Sequence, residues 1–341
     1  KDAGFTGASI NAVTRSGNNE TSGSAYYNWR NNSNTFNGSE AAGLPVQIGN
    51  FDEYIMGGRL GGAIVKNKLF YFISGEIQRR VEPATTFVPA GSTLPGTTTR
   101  VEKTDLEELR RFLKQRYNYE TGEYEGYNNE TTSDKFLVRL DWNVNDKNKL
   151  TLRYTHHNSL ADQLVSNSSS LGLGPRRTSV DAMSYQNSGY FIGDNTRSIV
   201  SEWNSTINDK MHNTFIVGYD YQNEDRQYKG ALFPTIDIQE GGKTYISAGF
   251  DPFTPANLLD YGTFHVTNNL SIYKNRHTFT VGANYEYYKS NNSFFSGSNG
   301  VYVFNSLQDF YDAANFDGDT SPVDLRLFQY RYSALEGGAD P

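Results

Sequence analysis

The sequence has no cysteine among its 341 residues. This absence excludes a disulfide framework, a thiolate metal centre and a cysteine nucleophile. No stretch approaches the roughly 18 to 20 consecutive apolar residues that a membrane-spanning helix needs. The net charge of −7 is opposite to the Lys and Arg excess of a nucleic-acid-binding surface. We therefore expect neither a helical membrane protein nor a nucleic-acid partner.

Motifs of common catalytic and metal sites are also missing. No G-x-S-x-G elbow, phosphate-binding GxxxxGK loop or HExxH helix occurs. His156 and His157 are adjacent, so in a strand they point to opposite faces and do not share one ion. Asp317, Asp319 and Asp324 lack the spacing of an EF-hand and are interpreted as a solvated acidic loop. We expect no enzymatic activity, no cofactor and no metal site.

The sequence is rich in aromatic residues, with 24 Tyr and 21 Phe, and several of its segments show a strict alternation of residue types. Apolar and polar residues alternate over stretches of roughly ten residues, the length of a membrane-spanning β-strand. Leu152 and Tyr154, for example, alternate with Thr151 and Arg153. A period of two places each set on one face of a sheet. This pattern predicts strands that are apolar on one face and polar on the other.

Connections between the strands alternate between very short and very long. Strands are predicted at about 24–31, 52–64, 69–80, 134–144, 149–157, 184–207, 211–223, 261–273 and 277–290. Tight turns are predicted at 65–68, 145–148, 208–210 and 273–276, and long loops at about 81–133, 158–183, 224–260 and 291–341. An outer-membrane barrel has short periplasmic turns and long extracellular loops. We therefore predict an all-β, transmembrane antiparallel β-barrel; the alternative, a two-sheet sandwich, rarely has such unequal loops.

The first long loop contains a helical pattern. Thr104 and Glu107 form a capping-box signature ahead of Leu106, Leu109 and Leu113. We expect this helix to pack onto the loop assembly outside the membrane.

Aromatic side chains follow the apolar face of the predicted strands. We predict that these residues are lipid-facing or form an interface girdle: Tyr27, Trp29, Tyr71, Trp142, Tyr154, Trp203, Tyr219, Tyr285 and Tyr287. The same register places Val138, Leu140, Leu152 and Val217 towards lipid. It places Arg139, Asp141, Arg153 and Asp220 towards the lumen.

Two segments carry a family resemblance. The string NAVTRSGNN, followed by GSAYYNWRNNS, resembles the plug-to-barrel junction of TonB-dependent outer-membrane receptors, especially the Oar-like group with a carboxypeptidase-regulatory-like N-terminal domain. The string FQYRYSALEGG at Phe328–Gly338 resembles a loop segment that precedes a barrel strand in the same group. The resemblance implies a barrel of about 22 strands plugged by a globular domain.

The resemblance also implies a division of the chain. Residues 1–23 are expected to be the end of the plug and the plug–barrel junction, with a short strand at 10–14 and with Asn11, Thr14, Arg15 and Gly17 as the junction motif. Residues 24–341 are expected to be the N-terminal part of the barrel, with about nine strands of it present. We expect Arg15 to pair with Glu76 or Asp141; the alternative is a hairpin with an exposed arginine.

The function implied is energised import of a ligand through a plugged barrel in the bacterial outer membrane. Expected partners are outer-membrane lipid, the TonB complex through N-terminal parts that the family has beyond this stretch, and surface lipoproteins or outer-membrane machine subunits. One alternative is a structural barrel in a secretion or insertion assembly. A second is a secreted β-rich adhesin.

Overall fold

The computed structural model describes residues 13–35, 40–41, 44–45, 49–174 and 177–332. Its main feature is a sheet of nine strands, here named the wall, in which each strand pairs antiparallel with the next. With strands numbered along the chain, the wall consists of β1 (Ser22–Asn31), β4 (Asp52–Val65), β5 (Leu69–Pro83), β8 (Asn128–Asn145), β9 (Asn148–Gln163), β11 (Tyr190–Asn208), β12 (Met211–Tyr228), β15 (Asn257–Lys274) and β16 (His277–Phe294). The predicted all-β, antiparallel architecture is confirmed. Within the described residues, β1 and β16 are the two open edges.

Tight turns join wall strands at one end, and long connections join them at the other. The turns follow β4, β8, β11 and β15, at the four places predicted from the sequence. Asn67 and Asn275 adopt left-handed backbone conformations in two of these turns, with φ of 61° and 56°. Asparagine tolerates this region because its short polar side chain bonds locally. We name the two ends of the wall the turn end and the loop end.

Several wall strands extend further towards the loop end than predicted. β8 begins at Asn128 instead of 134, and β9 runs to Gln163 instead of 157. These extensions carry polar residues on both faces, so hydrophobic periodicity does not detect them. The single strand predicted at 184–207 is also wrong, because a 3₁₀ turn at Gln186–Ser188 precedes β11. Val13 and Thr14 lie in irregular chain, while positions 10–12 of the predicted short strand lie outside the described residues.

The long connections fold together at the loop end into a unit that we name the cap. Between β1 and β4 the chain forms the short helix α1 (Asn32–Thr35) and the paired short strands β2 (Glu40–Ala41) and β3 (Leu44–Pro45). The elements of the cap are β6 (Phe87–Ala90), β7 (Thr97–Glu102), α2 (Lys103–Tyr117), a 3₁₀ turn at Ser170–Gly172, β10 (Met183–Ser184), β13 (Thr235–Glu240), β14 (Lys243–Ala248), β17 (Val301–Phe304), α3 (Leu307–Ala314) and β18 (Leu327–Gln329). Five of these strands form a mixed sheet in the order β10-β14-β13-β17-β18.

The cap has its own hydrophobic core. Three connections and the segment that follows β16 contribute to it, for example through Leu109, Tyr185, Ile238 and Phe310, each of which is nearly or fully buried. Burying one such side chain contributes about 1.5 to 3 kcal/mol. The connections therefore stabilise one another, and the sequence did not predict this sheet.

Helix α2 packs its leucines into this core, as predicted: Leu106, Leu109 and Leu113 are fully buried. The predicted capping box is wrong, because the N-cap is Glu102 and no side chain caps it. The hydroxyl of Tyr245 on β14 instead accepts from the backbone N–H of Glu102, at 2.9 Å, and donates to Asp105, at 2.7 Å. A side chain from another connection thus fixes the helix start. No helix among the described residues is long and apolar enough to span a membrane.

Candidate functional site

The wall has two chemically different faces. Cross-strand partners, followed from β1 to β16, place all nine predicted girdle aromatics on one face, which we name the apolar face. Val138, Leu140, Leu152 and Val217 share that face. Several aromatic rings bond at their polar edge; the indole N–H of Trp29, for example, donates to Asp52 at 2.8 Å. This pairing suits rings that contact both hydrocarbon and water.

The opposite face, which we name the polar face, carries Arg139, Asp141, Arg153 and Asp220. Asp220 lies 3.4 Å from the imidazole of His265 on the next strand. The register predicted from alternation therefore matches the pairing of the strands.

The chain that precedes β1 lies on the polar face and is held there by an arginine. Arg139 donates from Nη1 to the carbonyl of Thr14, at 2.7 Å, and to the Thr14 hydroxyl, at 2.9 Å. The same guanidinium donates from Nε and Nη2 to the two oxygens of Asp141, at 2.8 Å each. One planar group with five donors thus binds the wall and the N-terminal segment simultaneously.

Asp141 is the charged centre of this contact and is 1% exposed. Besides Arg139, it accepts from the hydroxyl of Thr151, at 2.8 Å, and lies 3.8 Å from the ammonium of Lys149. A buried carboxylate needs such partners, because desolvating it without them is strongly unfavourable. The carboxylate in turn orients the guanidinium towards Thr14.

Gly17 brings the N-terminal segment against the wall backbone. A Cβ at this position would lie 2.3 Å from the carbonyl oxygen of Tyr71 and 2.5 Å from that of Gly62. Only glycine permits this approach without moving the segment.

Two residues later, Asn19 joins the segment to the turn after β4. It accepts from the backbone N–H of Asn67, at 2.7 Å, and donates to the Asn67 side chain. Asn143 donates to the carbonyl of Asn67, at 3.0 Å. Thr14, Gly17 and Asn19 together form what we name the tether.

Only some residues of the predicted junction motif contact the wall. Thr14 and Gly17 contact the wall, Asn11 lies outside the described residues, and Arg15 is exposed. The expected partners of Arg15 are bound to other cations: Asp141 to Arg139, and Glu76 to Lys135 at 2.8 Å. The basic group that holds the segment is therefore on the wall. The alternation of the sequence predicts that Arg139 faces the lumen but does not predict this contact, although the spacing Arg139-x-Asp141 puts both side chains on one face.

A second polar cluster lies buried in the cap. Arg177 is fully buried and donates to the carbonyls of Gly174, at 3.1 Å, and Ser168, at 3.0 Å. Asp237 and Asp251 lie near it and are also almost completely buried. Burial lowers the pKa of Arg177, and the two carboxylates oppose that shift.

The two carboxyl groups respond to the same environment. Burial raises the pKa of Asp237 to about 6, although the hydroxyl of Ser247 donates to the carboxylate and opposes the shift. Burial also raises the pKa of Asp251, against hydrogen bonds from the backbone N–H groups of Ser166 and Phe253. Charged groups from two connections therefore meet inside the cap. Over the part of the chain that the structure describes, no group of three or more His, Cys, Asp or Glu is arranged to hold a metal ion.

Comparison with known proteins assigns this architecture. The family model described as an outer membrane beta barrel domain matches residues 13–325. The chain belongs to this family. Membership places the protein in the bacterial outer membrane and identifies the wall as part of a β-barrel.

A solved structure has a similar fold. The crystal structure of the outer membrane transporter YddB from Escherichia coli aligns with a TM-score of 0.53 at 11% sequence identity, over 86% of this chain. The aligned region covers 34% of YddB, so the chain spans about a third of that transporter. A comparison with curated proteins finds no match.

Proposed function

We propose that this chain is the N-terminal part of the barrel of a TonB-dependent, Oar-like outer-membrane transporter, together with the last residues of its plug. The observation that carries the proposal is the tether. A segment that runs from the polar face directly into the first wall strand is what a plug inside the barrel requires. The transporter fold of the wall supports the same proposal.

The proposal assigns a direction to each part of the molecule. The apolar face contacts lipid and the polar face lines the lumen. The loop end, with the cap, is extracellular, and the tight turns are periplasmic. A barrel of about 22 strands would pair both open edges, because an unpaired strand edge in hydrocarbon is strongly unfavourable.

The cap suits ligand capture, because its core joins three connections and the segment after β16 into one folded surface above the lumen. Capture there would precede movement of the plug, driven by TonB from the periplasm. We propose no catalytic role and no cofactor.

Comparison of nutrient use tests the proposal without knowledge of the ligand. We would compare the spent medium of three strains of the source bacterium: wild type, one lacking the full-length parent protein, and one lacking TonB. At least one solute consumed by the wild type should remain in the medium of both deletion strains. Restoring the parent gene should restore its consumption only when TonB is present.

The main alternative is a structural barrel in an outer-membrane assembly. It would predict that the three strains consume the same solutes and that the parent protein co-purifies in fixed ratio with lipoprotein or machine subunits. That combined result would contradict the transport proposal. The family match argues against the secreted adhesin, because it places the chain in the outer membrane.

A further inference from the structure

The apolar face is not smooth between β1 and β8. Ala25, Gly58 and Gly75 are successive cross-strand partners there, so three neighbouring strands lack a large side chain at one level. A Cβ at Gly75 would meet nothing closer than a backbone oxygen at 3.7 Å, and one at Gly58 nothing closer than 3.5 Å. The resulting groove has a volume of about 950 Å³, and its sides include Met56, Ile77 and Phe136. We name it the apolar groove.

Next to it, the same face becomes polar at one level across six strands. Asp134, Asn158, Asn195, Asn223, Asp260 and Asn291 are successive cross-strand partners. One register step towards the turn end, the same face is mixed, with Phe136 and Tyr221 beside His156, Arg197 and Lys289. One more step brings aliphatic and aromatic residues such as Ile199. A continuous change from apolar side chains to amides and carboxylates marks where hydrocarbon ends on these strands.

A second groove, of about 500 Å³, lies along this row and is lined by Asn158, Asn195, Arg197 and Asn223. We name it the polar groove. Arg197 donates to the side chain of Asn158, at 2.6 Å, and to the backbone carbonyls of His157, at 2.8 Å, and Thr196, at 3.0 Å. It forms no salt bridge with any of the residues described. The positive charge therefore has neutral oxygen acceptors but no acidic partner among these residues.

The two grooves meet at Asp134, which lines both. Arg79 pairs with Asp134 at 2.8 Å at this junction and also lines the apolar groove. The combined surface thus runs from an apolar slot, past an ion pair, to a row of amides with a guanidinium that has no acidic partner among the described residues. A ligand that fits this surface has a hydrocarbon part for the apolar groove, joined to a polar part for the polar groove.

We propose that this surface binds one outer-leaflet glycolipid, with an acyl chain in the apolar groove and a phosphorylated sugar headgroup in the polar groove. Asn side chains both donate to and accept from sugar hydroxyls, Asp carboxylates accept from them, and a guanidinium binds phosphate through parallel hydrogen bonds. The position at the hydrocarbon boundary favours a lipid, whose headgroup lies at that level. The proposal uses the extracellular orientation of the loop end proposed above, but it does not depend on transport or on TonB.

The test uses the full-length parent protein purified in detergent and titrated with the defined glycolipid Kdo2-lipid A, with native mass spectrometry counting bound lipids. Gly75→Phe fills the apolar groove, and Arg197→Gln removes the positive charge from the polar groove. Ala283→Phe is the matched control, because it adds the same ring to the apolar face away from both grooves. Heat-modifiable electrophoretic mobility establishes that each variant has folded.

We expect Gly75→Phe and Arg197→Gln each to weaken binding about tenfold, a loss of roughly 1.4 kcal/mol, and Ala283→Phe to leave it unchanged. Phosphatidylethanolamine, which has acyl chains but no sugar, should bind the wild type about tenfold more weakly than the glycolipid. Equal glycolipid binding by wild type and a folded Gly75→Phe variant would overturn the proposal. The proposal would also be overturned if the wild type carried no bound glycolipid but instead bound a protein partner or a second copy of itself, and if Gly75→Phe abolished that protein contact.

Discussion

Replacing Arg139 with methionine should destabilise the wall and release the N-terminal segment. The change leaves Asp141, 1% exposed, with only the hydroxyl of Thr151 and the distant ammonium of Lys149. Removing one member of a buried ion pair typically destabilises by 3 to 5 kcal/mol, and partial access of Arg139 to the lumen favours the lower end, about 3 kcal/mol. Both hydrogen bonds to Thr14 are lost as well.

The assay is urea unfolding of the full-length parent protein, followed by heat-modifiable mobility, with proteolysis of residues 13–21 as a second readout. Arg153→Met is the matched control, because Arg153 is the cross-strand partner of Arg139 and forms no salt bridge within the described ranges. It should shift stability by less than about 1 kcal/mol. The double variant Arg139→Met/Asp141→Leu should recover most of the loss, since it leaves no unpaired buried charge. Equal effects of Arg139→Met and Arg153→Met would refute the reasoning.

Three further predictions concern the tether and the cap. Gly17→Ala should expose residues 13–21 to protease, because its Cβ would overlap the Tyr71 carbonyl. Gly75→Ala should leave these residues protected, since a Cβ at position 75 has space. Equal cleavage of the two variants would contradict the close approach of Gly17 to the wall. Leu109→Ala should destabilise the cap by about 2 to 5 kcal/mol, seen as faster hydrogen exchange of cap amides while wall amides stay protected. Leu94→Ala, at an exposed position, should leave the stability of the cap unchanged. Equal exchange of cap amides in the two variants would argue against a packed cap. Because burial raises the pKa of Asp237 to about 6, the folded cap binds a proton more readily than the unfolded chain, so cap stability should fall as pH rises from about 4 to 6 and level off above that. Asp237→Asn should flatten this part of the profile and stabilise the cap at neutral pH, whereas Asp319→Asn, at an exposed position, should leave the profile unchanged. If Asp237→Asn also left the profile unchanged, the Asp237 carboxyl group would be excluded as the source of the pH dependence.

The sequence predicted the parts of the fold that follow from local periodicity. Alternation around Leu152 and Arg153 placed each residue on the correct face, because a shift of one residue would have exchanged every side chain between the faces. Turn chemistry located the tight connections, as at Asn67. These features depend on residues close together in the chain.

The parts that the sequence missed depend on residues far apart. The cap core joins Leu109 to Ile238 and Phe310, and no local pattern in polar loops reveals such contacts. The start of α2 is fixed by Tyr245, more than a hundred residues away, so the local signature at Thr104 was misleading. The tether likewise depends on Arg139, which only the fold brings to Thr14.

Lipid and water accessibility at adjacent wall positions tests the central claim most directly. Because the 341 residues contain no cysteine, spin labels are introduced singly at Leu152→Cys and Arg153→Cys in the full-length parent protein, with any cysteine elsewhere in it replaced, and the protein is placed in lipid nanodiscs. The label at 152 should collide mainly with oxygen, which concentrates in hydrocarbon, and the label at 153 mainly with a water-soluble nickel chelate. The reverse pattern, or equal access of the nickel chelate to both positions, would contradict a wall with lipid on one face and an aqueous lumen on the other.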